Sequence, residues 1–418
     1  MEYRYLFGPV TAAFADQKLA AARQAGRCLA CNAEGTADLA ITADDTWASV
    51  CARLPAGWRP DFVALYLPYT HVPGWMWSAP VPLVGLAADW NLLWHQYRKQ
   101  LRRCDLVLTD TAGAEVMARD GIAHAWAWNL YGLDRVFLDG DWPDGPRDID
   151  ILFVGNLHPA VQRERLAWLG RLARLGARWH VVIRTGVFGE EYRWLLARAR
   201  IVFNRSVRGE GNQRAFEAAA AGALLFQEAG NREVLTSFRD RMEYISYADD
   251  DLEELLEYYL THEDERAALA AAARIRVQRC GFDALWAEML SQIEEQWPAL
   301  VERVAQRPVP SDHEALLGRV WQALGGGGDA DPALAGDLEA ALACAPSATL
   351  HHALGLATAL TAADQRSAAA VAAPHFERAL QADPGHLVAG LSLAEALALV
   401  GEPAAAATPA GPFRTTCV

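Results

Sequence analysis

The sequence has no run of about 18 or more consecutive apolar residues, the length that a membrane-spanning helix needs. It also lacks an N-terminal basic stretch followed by an apolar run, so it predicts neither a membrane span nor a signal peptide. Basic residues are scarce, with 38 Lys and Arg against 52 Asp and Glu and a net charge of -14. This balance argues against a general binder of nucleic acid or anionic membranes, because both need a broad positive surface.

Cysteine is infrequent as well. The chain of 418 residues has 7 cysteines at scattered positions, which does not make a disulfide framework and fits a reducing cytoplasm. Cys28 and Cys31 form one CxxC pair, but no second pair follows at the spacing of a zinc finger. We therefore interpret these two cysteines as small buried apolar residues, and we expect a cytoplasmic protein.

Short apolar runs alternate with amphipathic stretches in residues 1–140. The runs cover residues 3–7, 62–67, 81–87 and 104–110, and they are rich in Val, Leu and Phe. Strands that are buried on both faces have this composition, and alternation with helices is typical of a parallel sheet. We expect a Rossmann-like domain here.

A second α/β pattern occupies residues 149–300, after a Gly-, Pro- and Asp-rich linker at 139–148. Its predicted strands are at 149–155, 179–184, 200–204, 223–227 and 242–247. Two such domains, joined by a hinge, leave a cleft between them. Ligands of open α/β sheets bind at the carboxyl ends of the strands, so this cleft is the predicted binding site.

Residues 313–405 are rich in Ala and Leu and show no strand signal. The segments 337–357 and 376–397 place small residues, a proline and a Leu-containing helix nearly in step. They resemble tetratricopeptide repeats, whose stacked helices form a concave surface for a peptide or protein. The alternative is a plain Ala-rich helical bundle.

The most informative segment is residues 201–228. A buried strand ends at Asn204, an Arg- and Gly-rich loop follows, and Asn212 stands at a predicted N-cap before a helix of small residues. The N-terminus of that helix, with its free backbone N–H groups, is suited to an anion. Arg205 and Arg208 lie in the loop, so a diphosphate is the predicted ligand.

Two further residues of this segment fit the same ligand. Arg214 lies in the first turn of the predicted helix, and Glu217 is one turn further on the same face. A carboxylate in this place can accept hydrogen bonds from the hydroxyls of a ribose. Arg184 ends another predicted strand, where it would either contact phosphate or form a surface ion pair.

The run NQRAFEAAAAGALL at 212–225 resembles the nucleotide-sugar-binding motif of GT-B glycosyltransferases, in particular the CgeB-like (spore maturation protein B-like) group. LFVGNLHP at 152–159 and the segments 188–204 and 251–277 are similar to the same group, so the resemblance covers about 145–285. It implies two facing Rossmann-like domains, with the nucleotide sugar held mostly by the second.

The resemblance also implies roles for individual residues. Glu217 would hold the ribose, Arg214 with Gly211 and Asn212 would face the phosphates, and Asn156 and His158 would line the first glycine-containing turn. One departure is clear. Wider retaining families have two Glu separated by seven residues, whereas Glu210 and Glu217 are separated by six. The stereochemical outcome therefore stays open.

The first domain should bind the acceptor. Asp89 and His71 each follow a predicted strand, where either side chain could act as general base toward a hydroxyl. Asp89 is equally well placed as a helix N-cap. Trp75, Trp77 and other nearby tryptophans would stack on a sugar or fill the core.

Together with the resemblance, these patterns predict a glycosyltransferase with a nucleoside diphosphate sugar as co-substrate, and the resemblance to GT-B enzymes implies no further cofactor or bound metal. Its acceptor would be a hydroxyl of a protein or a glycan, and the helical repeats would dock the acceptor or a protein partner. Two alternatives stay open, a non-catalytic scaffold with the same fold and a transferase that builds polysaccharides.

Overall fold

A computed structural model describes residues 2–42, 44–157, 159–307, 316–320, 324 and 332–401. The chain divides into two compact units. The first comprises Met1–Ile41, Val50–Tyr69 and Ala79–Arg307, and the second comprises Thr42–Ser49, Thr70–Ser78 and Pro308–Val418. Both β-sheets belong to the first unit, and the C-terminal helices belong to the second.

The first sheet has 7 parallel strands in the order β3-β2-β1-β4-β5-β6-β7. Its strands are β1 (Tyr5–Gly8), β2 (Cys28–Asn32), β3 (Leu39–Ala40), β4 (Phe62–Tyr66), β5 (Leu83–Leu86), β6 (Leu106–Thr109) and β7 (Ala125–Ala127). The four apolar runs that predicted strands form β1, β4, β5 and β6. The sequence did not predict β2, whose Cys28 and Cys31 are both buried, because its small residues give a weak strand pattern.

The second sheet has 5 parallel strands in the order β12-β11-β10-β8-β9. Its strands are β8 (Ile149–Val154), β9 (Val181–Arg184), β10 (Ala199–Phe203), β11 (Leu224–Glu228) and β12 (Ile245–Tyr247). Alternate residues of β8 enter different cores, Leu152 and Val154 on one face and Ile151 and Phe153 on the other. Because helices cover both faces, the strand is apolar except for Asp150, which is the pattern that predicted it.

Helices of the first unit connect these strands and cover the sheets. They are α1 (Ala12–Lys18), α2 (Ala20–Gln24), α5 (Trp90–Gln100), α6 (Thr111–Arg119), α7 (Arg135–Leu138), α8 (Pro159–Leu175), α9 (Gly189–Arg198), α10 (Gln213–Ala220), α11 (Arg232–Ser237), α12 (Leu252–Thr261), α13 (Glu263–Val277), α14 (Phe282–Glu295) and α15 (Trp297–Gln306). The short helix α3 (Trp47–Ala52) has residues in both units.

The chain returns to the first sheet after the second sheet is complete. Phe282, Trp286 and Ile293 of α14 belong to the same hydrophobic cluster as Tyr5 of β1, and Trp286 Nε1 donates to the Tyr5 hydroxyl at 2.8 Å. Residues 282–300 therefore pack on the first sheet, although the sequence placed them in the second domain. The segment 139–148 forms neither helix nor strand, as a linker should.

The second unit contains α4 (Gly74–Trp77) and four longer helices. These are α16 (Pro332–Cys344), α17 (Ala348–Leu360), α18 (Gln365–Ala382) and α19 (Leu387–Val400). Gly355 of α17 packs closely against α18, since a Cβ there would lie 2.6 Å from the Phe376 ring. Pro346 and Pro384 fall between consecutive helices, as the predicted repeats require, but the assignment to tetratricopeptide repeats stays a prediction.

The predicted fold class is confirmed in these terms: two parallel-sheet, Rossmann-like domains precede an all-helical region. No helix within the described ranges is long and apolar enough to cross a membrane. The predicted domain limits, 1–140, 149–300 and 313–405, stay predictions.

Candidate functional site

The second sheet has a topological switch point between β8 and β10. The chain passes from β8 to β9 on one side and then returns to β10 on the other side of β8. The loops that follow β8 and β10 therefore diverge and leave a crevice at the carboxyl ends of the strands. Gly155 and Asn156 follow β8, whereas Asn204 and Arg205 follow β10. The sequence predicted ligand-binding residues in both of these loops.

Two guanidinium groups, of Arg165 and Arg214, meet at this crevice. They lie 5.5 and 5.0 Å from the centroid of the Phe153 ring. Arg214 Nη1 donates to Asn204 Oδ1 at 2.6 Å. Arg165 Nη1 donates to the carbonyl oxygen of Asn156 at 3.2 Å, and its Nη2 donates to that of Arg205 at 2.6 Å. The two side chains thus tie together the loops after β8 and β10.

The positive charge of this pair is only partly compensated, because Glu210 and Glu228 attract Arg165 and Glu217 attracts Arg214 without forming an ion pair. Within the described part of the chain, neither Arg165 nor Arg214 forms an ion pair, and the Nε atom of each is buried without a hydrogen-bond partner. Burial, and then repulsion from Arg214, lower the pKa of Arg165 to about 10. A buried and a half-buried cation held at one crevice favour binding of an anion, which would relieve their repulsion.

Glu217 lies one turn after Arg214 on α10 and is 9% exposed. Its Oε2 accepts a hydrogen bond from the Tyr192 hydroxyl at 2.7 Å. Burial raises the pKa of Glu217, while the hydrogen bond from Tyr192 and the charge of Arg214 lower it. The electrostatic attraction between Arg214 and Glu217 agrees with the predicted common face. The role of Glu217 as a ribose ligand stays a prediction.

The loop before α10 differs in detail from its predicted form. Asn212 occupies the N-cap position, but its side chain caps no N–H group of the helix. Its Oδ1 instead accepts from Asn204 Nδ2 at 2.9 Å. The first N–H groups of α10 are therefore left uncapped by Asn212, which keeps them open to an anion.

The same loop approaches the first domain closely. A Cβ at Gly211 would lie 2.9 Å from the Tyr131 ring, so only glycine permits this approach. Arg208 has a left-handed backbone with φ of 56°. Its Nη1 donates to the carbonyl oxygen of Asn91 at 3.0 Å, so Arg208 contacts the first domain instead of the Arg165–Arg214 pair.

The other predicted ligands of the nucleotide are spread more widely. The Arg205 guanidinium lies 4.2 Å from the centroid of the Trp168 ring, and the Asn156 side chain is exposed. Arg184 is exposed at the edge strand β9 and pairs with Glu191 at 3.2 Å, which matches the surface ion pair weighed for it. His158 lies outside the described residues.

On the first domain, Asp89 follows β5 and precedes α5. Its backbone is left-handed, with φ of 51°, and its side chain makes no cap hydrogen bond to the helix. Oδ1 accepts instead from the Tyr131 hydroxyl at 3.3 Å. Burial raises the pKa of Asp89 against the lowering effect of hydrogen bonds from Tyr69 and Tyr131. The side chain thus occupies the N-cap position without capping, which leaves the general-base role open.

His71 lies in the second unit, so its catalytic role stays a prediction. Trp75 and Trp77 of α4 are 7% and 4% exposed, which supports core filling for these two rings. Trp90 of α5 donates from Nε1 to Asp110 Oδ1 at 2.7 Å, so its ring is fixed at the carboxyl end of β6.

Glu210 lies opposite Asp89 and Asp110. Burial, and then the charges of Asp89 and Asp110, raise the pKa of Glu210 to about 8. Its Oε2 is buried with no hydrogen-bond partner in the described segments. The sequence analysis gave Glu210 no role and noted only that its spacing from Glu217 departs from the retaining families. The structure instead places it among the carboxylates of the first domain.

Sequence reasoning missed Arg165 and Asp110. Asp110 directly follows β6, so the strand-end signal that selected Asp89 would have found it. Arg165 lies in the middle of α8, and nothing in its local sequence distinguishes it from the other arginines of that helix.

Solved structures similar to this chain include the Anabaena protein HepE in complex with UDP, with 12% identity and a TM-score of 0.48 over 70% of this chain and 100% of that one. A sucrose-phosphate synthase from Thermosynechococcus elongatus is 13% identical, with a TM-score of 0.46 over 71% of this chain and 99% of the other. Likenesses at this level do not identify the function of this chain.

No curated protein matches the sequence. Residues 150–291 match a family model that is described as "Glycosyl transferase-like". This range contains Arg165, Arg214 and Glu217, so the part of the chain that builds the crevice of the second sheet is similar to glycosyltransferases.

Proposed function

We propose that this protein is a glycosyltransferase that moves a sugar from a nucleoside diphosphate sugar to a hydroxyl of a protein or glycan acceptor. The observation that carries the proposal is the pair of the buried Arg165 and the half-buried Arg214, neither of them in an ion pair among the described residues, at the switch point of the second sheet and within the range that matches the glycosyl transferase-like model. An anionic leaving group is what such a pair can stabilise.

The donor would lie with its diphosphate against Arg165, Arg214 and the first N–H groups of α10. In the reaction the bond between the anomeric carbon and the diphosphate oxygen breaks, and the diphosphate leaves with the electron pair. Guanidinium and N–H groups that are already oriented stabilise this charge without reorganisation. We propose on this ground that the leaving group needs no metal ion.

Asp89 would accept the proton of the acceptor hydroxyl as its oxygen bonds to the anomeric carbon. Burial raises the pKa of Asp89 and so brings this pKa closer to neutral pH, and a general base works best when its pKa is near the pH of the reaction. The neighbouring Glu210, with its pKa near 8, would stay protonated at neutral pH and would not repel the ionised Asp89.

The helices of the second unit would have a separate function. We propose that the surface built by α16 to α19 docks the acceptor or a protein partner. Support comes from the two helical pairs with prolines in their turns, which is the layout of repeats that bind peptides.

Thermal melting with UDP-, GDP- and dTDP-sugars tests the donor site. One nucleotide sugar should raise the melting temperature of the wild type, and Arg214→Ala should abolish the shift. Arg178→Ala is a matched control, because this arginine is exposed and paired with Glu257 at 2.6 Å. Release of the nucleoside diphosphate from the stabilising donor should follow the same pattern.

If no nucleotide sugar shifts the melting temperature and none is hydrolysed, the protein is a scaffold with the same fold. If a donor is consumed, labelled sugar and protease treatment of the product distinguish a protein acceptor from a polysaccharide.

A further inference from the structure

A groove crosses the carboxyl ends of β10, β11 and β12 in the second sheet, on the other side of β10 from the switch point. Its volume is about 450 Å³, which lies in the range of pockets that hold small ligands. The polar and glycine residues that line it are Arg205, Arg208, Gly209, Glu228, Gly230 and Asp249. We call it the β10–β12 groove. The donor site proposed above uses none of these side chains.

Arg205 supplies the groove with a cation that is held in place. Its guanidinium lies 4.2 Å from the centroid of the Trp168 ring, and its carbonyl oxygen accepts from Arg165 Nη2 at 2.6 Å. Among the residues that the structure describes, Arg205 has no carboxylate in an ion pair. Stacking on an indole occupies one face of a guanidinium and leaves its N–H groups at the edge free. Arg205 can therefore donate to an anion in the groove.

Arg208 adds a second cation from the same loop, and its side chain is exposed. Nη1 donates to the carbonyl oxygen of Asn91 at 3.0 Å, and the other N–H groups of the guanidinium make no hydrogen bond to any described residue. Arg208 also has no ion pair in the described ranges. The contact with Asn91 fixes one corner of the guanidinium and leaves the rest for a ligand.

The two carboxylates of the groove have other partners. Glu228 Oε1 accepts from Ser206 N at 3.1 Å and from Asn231 Nδ2 at 3.3 Å. Asp249 is exposed and attracts Arg171, which does not line the groove. Neither carboxylate pairs with the two groove arginines, so the charge of those arginines stays available to a ligand. The remaining lone pairs of the carboxylates can still accept hydrogen bonds.

This combination suits a sugar that carries an anionic group. Guanidinium groups bind a carboxylate or a phosphate through paired N–H groups, and carboxylates accept hydrogen bonds from sugar hydroxyls. The backbone is accessible as well, since a Cβ at Gly230 would have no atom within 4 Å. A peptide with several acidic side chains fits less well, because it would bring like charges against Glu228 and Asp249.

We propose that the β10–β12 groove binds the anionic group, a carboxylate or a phosphate, of an acidic sugar in the acceptor. This inference rests on the proposed function and names the class of its acceptor. Arg208 contacts Asn91 in the first turn of α5, and Asp89 directly precedes that helix. The groove therefore adjoins the turn that carries the proposed general base, so one acceptor can contact both.

Arg205→Gln and Arg208→Asn test the two cations separately, and Asn tolerates the left-handed backbone of Arg208. Each variant has a matched control outside the groove. Arg198→Gln matches the first, because the Arg198 guanidinium lies 4.0 Å from the centroid of the Trp194 ring. Arg241→Asn matches the second, because Arg241 is exposed and has a left-handed backbone with φ of 58°. Circular dichroism should show all four variants folded.

The probe acceptors are p-nitrophenyl glucoside, its 6-phosphate and p-nitrophenyl glucuronide, used with the donor found by the melting screen. One of the two anionic glycosides should have the lowest KM, and each groove variant should raise that KM about tenfold. The donor KM should be unchanged in both groove variants, and the two controls should match the wild type. Whether the phosphate or the glucuronide is preferred identifies the anionic group.

Three results would overturn the proposal. A raised donor KM in Arg205→Gln or Arg208→Asn would place the donor diphosphate in the groove. Equal KM values for the neutral and the anionic glycosides would show that the groove does not select a charge. Transfer to an acidic Ser- and Thr-containing peptide in preference to all three glycosides would assign the groove to a protein acceptor.

A binding measurement separates this inference from the proposed function, on which the release of nucleotide without acceptor reports. Saturation-transfer NMR with free glucuronate, glucose 6-phosphate and glucose needs no donor. Saturation transfer to an anionic sugar that is lost in Arg205→Gln and kept in Arg198→Gln supports the groove even if no nucleotide sugar is hydrolysed. Absence of transfer to both anionic sugars, or equal transfer to glucose, contradicts it.

Discussion

The two parallel sheets of the first unit present opposite charges at their carboxyl ends. The first sheet carries carboxylates there, Asp89 after β5 and Asp110 after β6. The second sheet carries the Arg165–Arg214 pair between the loops after β8 and β10, together with the carboxylate of Glu228 at the end of β11. A parallel sheet supplies a place for a site, and the side chains at its edge decide the chemistry. Here the basic edge suits an anionic leaving group, and the acidic edge suits a hydroxyl that loses a proton.

Glu210 does not fit this division between an acidic and a basic sheet edge. Glu210 lies in the loop after β10 of the second sheet, yet the negative charges of Asp89 and Asp110 of the first sheet disfavour its ionised form. Because three carboxylates cannot all ionise cheaply in one buried region, Glu210 keeps its proton at neutral pH. The acidic edge therefore carries less charge than its residue count indicates.

Loss of the basic edge should have the largest effect. Arg165→Met removes one of the two guanidinium groups that we propose to face the departing diphosphate, so we expect kcat for nucleotide release to fall by roughly 100- to 1000-fold. Arg171→Met on the same helix is the control, because its guanidinium already pairs with Glu253. Circular dichroism should show both variants folded. If Arg165→Met were as active as the wild type, the pair would not lie at the leaving group.

Neutralising the acidic edge should impair transfer and not donor binding. Asp89→Asn keeps the left-handed backbone at this position, since Asn tolerates it as well as Asp does. We expect the rate of transfer to the acceptor to fall about 100-fold, with an unchanged melting shift from the donor. The exposed Asp139→Asn serves as the control. Equal losses in transfer and in donor binding would assign Asp89 a structural role.

The pKa of Glu210 predicts a pH dependence of stability. Its pKa of about 8 in the folded protein exceeds the usual value of 4.5, so the folded state binds more protons between these values and stability falls as pH rises through this window. Glu210→Gln removes the penalty. The free energy of unfolding of the variant should exceed that of the wild type by roughly 5 kcal/mol at pH 9, and the gain should shrink toward pH 4.5.

Urea unfolding at several pH values measures this difference. The exposed Glu190→Gln should show no such trend. A difference between wild type and Glu210→Gln that does not change with pH would mean that Glu210 is ionised in the folded protein, and the two edges would then be equally charged.

The smallest effect concerns the support of Glu217 on the basic side. Tyr192→Phe removes the hydroxyl that donates to Glu217 Oε2, and it should lower the free energy of unfolding by about 1 kcal/mol and raise the donor KM a few-fold. Tyr258→Phe is a matched control, because the Tyr258 hydroxyl donates to Glu265 at 2.8 Å on the exposed surface. An unchanged donor KM in Tyr192→Phe would remove Glu217 from the proposed ribose contact.

Local patterns predicted the strands and helices that surround the site. The run from Ile201 to Phe203 forms the end of β10, Asn204 follows it, and α10 begins at Gln213 directly after the predicted N-cap. Both features depend on neighbouring residues, so the sequence shows them directly. The hydrogen bond from Asn204 to Asn212 depends on the fold of the loop between them, and it was not predicted.

The sequence by itself determined the two parallel sheets, the linker and the helical region, because the periodicity of apolar residues reports which faces are buried. It also indicated Arg214, which lies beside the motif at the start of α10. Only the tertiary structure decided that Arg165 joins Arg214, that Arg184 lies in a surface ion pair and that Glu210 faces Asp89. Charge and burial at those positions depend on residues far away in the chain, and no local pattern records which of them meet.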